Sequence, residues 1–313
     1  MEPPESLVDI GSHRLFLSLQ GTPRALGSPL VVFLAGAGDV CVSFGAVARV
    51  VGQFAPTMLY DRSGLGRSQD GPDPPRATTA ARELRRLQER AGLEPPFLLV
   101  AHSYGGIVAR EYLERYPDAV AGLVLVDAAT EQQVELIDDE HRQAINAVMG
   151  DVNFARVIGL RDGARLSRDE WRTRAAGIAR GLSTWQEEAA AVHEICETLG
   201  RKDQYRRHIL GMKPLAVVRA RSSLDYERIY AAGVAAGHGT DAQRTTFRQL
   251  LDRWDSVDGA MQKAQLQLSS THRFIDVPDC GHHVHLIRPE LVATQVQWVL
   301  DGILSSNQPL EKL

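Results

Sequence analysis

The chain has 313 residues, 44% of them hydrophobic and 24% charged, with a formal net charge of −4. That balance excludes a disordered chain, a collagen-like repeat and a coiled-coil rod, and it lacks the basic excess of a broad nucleic-acid-binding surface. Length alone allows one domain or two, because an open α/β sheet with an inserted cap reaches this size as one unit.

In chain order, residues 14–19 alternate apolar and polar positions and read as a half-buried edge strand, antiparallel to its neighbour. Residues 31–34, 57–60, 97–100, 123–126 and 215–218 are short apolar runs with few polar interruptions, the pattern of strands covered on both faces. Residues 273–277 read as the last strand, stopped by Pro278. Helical patterns lie between them. Residues 78–91 are charge-rich, with Leu84 and Leu87 on one side and Gly92 as the stop; residues 105–116 are mainly small and apolar and end before Pro117. Pro289 opens a C-terminal helix in the first turn, where proline is tolerated, with Val292, Val296, Val299 and Leu300 at near-helical spacing. Strand–helix alternation of this kind implies an α/β fold, a mostly parallel sheet with helices on both faces.

Between Ala129 and Met212 the strand signal stops, and amphipathic helical runs start near Arg168 and Trp185. A stretch of about 80 residues exceeds an ordinary connection. The expected division is a core of residues 1–130 and 213–313, with residues 131–212 inserted as a helical cap after the sixth strand. A second helical excursion is expected from about Tyr226 to Gln267.

Three cysteines, Cys41, Cys196 and Cys280, are too few and too scattered for a disulfide framework or a CxxC metal pair. The first residues show no basic-then-apolar secretory pattern, and no apolar run reaches the roughly 18 residues that a bilayer requires. A cytoplasmic protein with no membrane partner is expected.

The chemistry concentrates where the strand at 97–100 runs through Ala101 and His102 into Ser103, with a helix starting directly after it. This is the strand–elbow–helix setting of the G-x-S-x-G nucleophile motif, with Ala101 at the first glycine position and Gly105 at the second. Small residues are needed because the sharp turn crowds backbone and Cβ atoms together. Such an elbow projects the serine hydroxyl over a helix N-terminus, where free N–H groups favour developing negative charge.

With the elbow in view, the chain resembles the α/β-hydrolase family. Leu34-Ala35-Gly36-Ala37-Gly38 stands where the family often has His-Gly-x-Gly, and Asp61-Arg62-Ser63-Gly64-Leu65-Gly66-Arg67-Ser68 is similar to its D-R-x-G-x-G-x-S segment. Asp127 closes the sixth strand, and Gly281-His282-His283-Val284-His285 before Pro289-Glu290 matches the family's G-H-x-x-H…P-E ending. The resemblance spans nearly the whole core and implies a catalytic triad without cofactor or metal.

Ser103 needs a base, and His282 has the expected place in the order Ser…Asp…His, on the loop after the last strand. His283 and His285, two apart in what reads as an extended segment, are expected to share one side. A metal site from His282, His283 and His285 is the rival reading, but neither HExxH nor a carboxylate partner accompanies it. Two aspartates compete to orient the imidazole: Asp127 after the sixth strand, and Asp225 after the seventh, the commoner family location. The stretch before Asp225 lacks the family's G-x-x-D spacing, so Asp127 is favoured. Oxyanion donors are expected from the backbone N–H of Tyr104 and of Ala37, with Gly36 as the alternative to Ala37.

Other polar residues receive plainer readings. Asp61 and Arg62 are expected to lock the loop after the fourth strand, and His102 to pack against the sheet or hydrogen-bond locally. Glu187, Glu188 and Glu194 could recognise a substrate amine, as cap acids do in proline iminopeptidases, but read more simply as the solvated face of a helix. Trp171 and Trp185 are candidates for the pocket roof. The sequence thus points to a serine hydrolase of a small or medium apolar ester or lactone. Aminopeptidase or amidase chemistry, acyl transfer or cyclisation, and a ligand receptor on a hydrolase fold remain as alternatives. Haloalkane dehalogenation and epoxide hydrolysis are disfavoured, because that chemistry uses a carboxylate at the position of Ser103.

Overall fold

The computed structural model describes residues 5–306. Its eight strands are β1 (Glu5–Asp9), β2 (Arg14–Gly21), β3 (Leu30–Leu34), β4 (Pro56–Tyr60), β5 (Phe97–His102), β6 (Val120–Val126), β7 (Leu215–Ala220) and β8 (His272–Val277). They form one sheet in the order β1-β2-β4-β3-β5-β6-β7-β8. From β4 to β8 every pairing is parallel, whereas β2 runs antiparallel to both β1 and β4. The strand expected at the edge, β2, is therefore covered by β1. Most side chains of β1 are exposed, so it carries no burial pattern to read; backbone pairing with β2 alone makes it a strand.

Every residue of β3 and β5 is buried, as expected of strands covered on both faces. Alternate side chains of β3 go to opposite layers. Leu30, Val32 and Leu34 join a core with Leu84, Leu87, Ile107 and Val108 from the helices Ala77–Arg90 and Tyr104–Arg115. Val31 and Phe33 join a second core with Val47, Val51, Val296 and Val299 from the helices Gly45–Val51 and Pro289–Ser306. Burying each such side chain stabilises the fold by roughly 1.5–3 kcal/mol, so the two layers hold the strand ends as a rigid platform.

Helices fill the stretch between β6 and β7, among them Asp139–Met149, Arg168–Arg180, Leu182–Ala190 and Val192–Gly200. Ser167 begins Arg168–Arg180 with a capping box closed by Glu170. Between β7 and β8 lie two further helices, Ser223–Ala235 and Asp241–Ala264. Ala144, Ile145 and Val148 of Asp139–Met149 pack with Ile229, Phe247 and Trp254 of that pair in a third core.

Candidate active site

β5 delivers Ser103 at its carboxyl end, between the last strand residue, His102, and the first helical residue, Tyr104. Ser103 has φ 52° and ψ −125°, a conformation that L-residues adopt only when their surroundings over-determine it. Here the Ser103 N–H donates to Val126 O of the neighbouring strand, and its carbonyl accepts from the N–H groups of Gly106 and Ala129. The need for a small residue two positions on is plain: a Cβ at Gly105 would overlap the Leu34 carbonyl oxygen.

Asp127 comes directly after β6 and is likewise held at positive φ, 43°. Its Oδ1 accepts from the Ala220 N–H at 2.9 Å, and its Oδ2 lies 2.6 Å from His282 Nδ1. Asp225 is also buried beside the histidine, but its Oδ2 accepts the His282 backbone N–H at 2.8 Å. The two competing aspartates thus divide the work: one faces the ring, the other the backbone. Burial pulls the His282 imidazole down, but the hydrogen bond and charge of Asp127, with the charges of Asp225 and Asp258, carry its pKa above the ordinary 6.5. With Nδ1 occupied, Nε2 is the nitrogen left for proton transfer. No hydrogen bond joins it to Ser103, a contact that free enzymes often leave open until substrate binds.

Across the cavity runs the loop after β3. The N–H groups of Gly38, Asp39, Val40 and Cys41 are taken by Glu188 Oε2, Gly36 O, Asp39 Oδ1 and Asp61 Oδ1 respectively. The N–H groups of Gly36 and Ala37, both residues of the cavity lining beside Ser103, have no protein acceptor among the described residues. Asp61 locks the β4 loop as expected, its Oδ2 also accepting from Arg67 N–H. Arg62 reaches further: it donates to Ala35 O at 2.7 Å and Gly36 O at 2.8 Å, and pairs with Glu188 at 2.9 Å.

Glu188 therefore belongs to neither of its expected roles. It is buried rather than solvated, and engaged rather than free for a substrate amine. Burial pushes its carboxyl above the ordinary carboxylate range, against the pull of Arg62 and of the Gly38 N–H. Glu187 and Glu194 are exposed, and Glu194 pairs with Arg76. Sequence periodicity could not separate the three.

The histidines after β8 also depart from expectation. His283 precedes a helical turn, Val284–Ile287, that contains His285, so the two do not alternate along an extended segment. His285 is buried, its ring centroid 4.0 Å from that of His102 and 4.8 Å from that of Phe44; burial pulls its pKa down to about 3. His102 does more than pack: its Nε2 lies 3.0 Å from His282 O, tying the elbow to the histidine loop. Among the described residues, the histidines whose ring nitrogens come together are His102, His283 and His285, rather than the expected His282, His283 and His285. One nitrogen from each lies within 4.8 Å of the others. Of the charged groups acting on His285, the Asp39 carboxylate favours a cation and the Arg174 guanidinium opposes one.

Ser103, His102, His282 and His283 line a cavity of about 440 Å³ together with the loop residues Gly36 to Asp39. The opposite wall comes from the segment between β6 and β7: Arg174, Ile178, Leu182 and Trp185. Trp171, the other tryptophan expected there, is not among the lining residues. Arg174 is held by Ser43 Oγ at 2.8 Å and lies 3.4 Å from Asp39, which is also in the lining.

The α/β-hydrolase family matches residues 31–295. An AB hydrolase superfamily protein of Gibberella zeae is 30% identical over 302 residues, covering 92% of this chain and 91% of that one. A protein of Hormonema carpetanum named "Probable transporter efuK" is 30% identical over 305 residues, covering 95% of this chain but only 43% of that longer one. Among solved structures, a serine hydrolase involved in carbazole degradation superposes with a TM-score of 0.61 at 14% identity, covering 96% of this chain and 99% of that one. E-2-(acetamidomethylene)succinate hydrolase gives 0.60 at 19%, covering 96% and 100%. The chain belongs to the α/β-hydrolase family. Among the described residues no helix is long and apolar enough to cross a membrane.

Proposed function

We propose that the protein is a serine hydrolase that cleaves a carboxylic ester or lactone of a small or medium apolar molecule. The observation that carries this reading is the 2.6 Å contact between Asp127 and His282 Nδ1, on an imidazole that lines the same cavity as Ser103 at its strained elbow. His282 takes the proton of Ser103 as the hydroxyl attacks the carbonyl, and Asp127 stabilises the imidazolium. The N–H groups of Tyr104 and Ala37 receive the oxyanion. His282 then protonates the leaving alcohol and activates water to hydrolyse the acyl-enzyme. Residues 131–212 act as the cap over this site, and the apolar side chains of Ile178, Leu182 and Trp185 favour an apolar substrate. Of the three amine-binding candidates of the aminopeptidase alternative, Glu188 is already paired with Arg62, and neither Glu187 nor Glu194 lines the cavity.

Intact-protein mass after a fluorophosphonate probe, measured beside turnover of p-nitrophenyl esters, tests the reading. A single adduct is expected on wild type and on neither Ser103→Ala nor His282→Ala, with turnover falling by roughly 10⁶-fold in Ser103→Ala. Labelling or turnover that persists in Ser103→Ala would remove the nucleophile.

A further inference from the structure

Glu188 and Arg62 are a buried ion pair whose partners come from different parts of the molecule, 126 positions apart in the chain. Glu188 sits on Leu182–Ala190, and Arg62 on the loop after β4. Both side chains finish on the loop after β3. A trans peptide points its C=O and N–H in opposite directions. Arg62 draws the carbonyls of Ala35 and Gly36 to one side, so the N–H groups of Gly36 and Ala37 turn to the other. Glu188 meanwhile occupies the N–H of Gly38. The Arg62 guanidinium also lies 5.2 Å from the ring of Tyr104, the residue whose N–H supplies the other donor. One side chain thus binds the loop proposed to supply one donor and lies over the ring of the residue proposed to supply the other.

The same helix bears on the loop a second time. Gly38 has φ +62°, and a Cβ there would lie 2.5 Å from the Trp185 Cβ, so the Trp185 side chain sits against the loop at a distance that only glycine permits. Thr184 reaches the β4 loop as well, donating to Gly64 O.

We infer that Glu188 is a positioning residue of the oxyanion hole: through Arg62 and the Gly38 N–H it holds the loop after β3 with its free donors turned to the cavity, so seating this helix and forming the hole are one event. The inference rests on the Ser103 reading. A hydrolase built this way carries its oxyanion donors in a loop whose shape is completed only when the helix above is docked. Glu188 touches no reacting atom; it acts on where the N–H groups point.

The test uses the full chain and a trifluoromethyl ketone. Ser103 Oγ adds to the ketone carbon, its proton passes to His282, and the ketone oxygen becomes an oxyanion in the hole. Its inhibition constant therefore reports on the donors, while KM for an ester reports mainly on ground-state binding. In Glu188→Gln, kcat and affinity for the ketone are expected to fall together by about ten- to a hundredfold, with KM changed less than about twofold. A variant that leaves Arg62 buried without its partner can fail to fold. The double variant Arg62→Met/Glu188→Leu removes both charges at similar volume, a change that buried pairs often tolerate. It should keep the melting temperature of wild type yet show the same loss of ketone affinity. Wild-type affinity for the ketone in either folded variant would overturn the clamp and leave the Ser103 reading intact. A wild type that forms no adduct would overturn both.

Discussion

The two sides of the cavity are built by different means. On one side, Ser103, Asp127 and His282 follow the ends of strands β5, β6 and β8 of one parallel sheet, and each is fixed by a group at that sheet edge or just beyond it: Val126 O for Ser103, Ala220 N–H for Asp127, and Asp225, on the helix after β7, for the His282 backbone. On the other side, the loop after β3 has few local restraints and depends on Arg62 and Glu188 from distant segments. Registration within a parallel sheet is cooperative and hard to perturb. A seam between a loop and an inserted helix depends on a few side chains. Substitutions on the sheet side should abolish chemistry while sparing the loop, and substitutions on the seam should weaken oxyanion binding while sparing the base.

The largest expected effect after loss of Ser103 is on the sheet side. Asp127→Asn keeps the shape but favours the wrong tautomer, and kcat should fall by about 10⁴-fold. The pH profile sharpens this. His282 must be neutral to accept the Ser103 proton, and its raised pKa keeps it protonated to a higher pH than an ordinary imidazole. In wild type, kcat/KM should therefore rise with pH through an apparent pKa above 6.5. The residual activity of Asp127→Asn should show that limb at lower pH, because the group that raises it has lost its charge. An unmoved limb would assign it to another group.

On the seam, Gly38→Ala forces a Cβ into Trp185 at a backbone conformation that alanine resists. Displacing the loop should cost about 10²–10³-fold in kcat, the effect of losing one oxyanion donor, with the acid limb of the pH profile unmoved. A shifted limb would mean that the seam and the base are not separate.

Smallest is Asp225→Asn. The amide oxygen can still accept the His282 N–H, so the loss should stay below about tenfold, the scale of one hydrogen bond. A loss near that of Asp127→Asn, measured with the same ester, would break the division between the two aspartates.

The same contrast explains what could be read from the amino-acid order. β3 to β7 announce themselves as uninterrupted apolar runs because both faces are buried. The elbow is legible because a strand, a small residue, a serine and a glycine must follow one another in the chain. Asp127 could be preferred because it follows the sixth strand and because the stretch before Asp225 lacks the family's G-x-x-D spacing. β1 stayed hidden because pairing, not burial, makes it a strand. The helix Gly45–Val51 is seven residues long, too short for its periodicity to stand out. Glu188 was illegible for a deeper reason. Within Trp185-Gln186-Glu187-Glu188 it looks like its exposed neighbour, and only a guanidinium 126 positions away distinguishes the two. The turn at His283–His285 is likewise set by what surrounds it, with the His285 ring packed between Phe44 and His102.

Arg174 and Asp39 form an ion pair in the cavity lining, beside the apolar side chains of Ile178, Leu182 and Trp185. A fixed pair of this kind has no net charge to offer an ion, yet it imposes a local field direction. A neutral guest with one strong bond dipole is turned within such a field, whereas a fully ionised guest meets repulsion from one member of the pair. A lining of this kind orients a guest by the direction of its polarity rather than by its net charge.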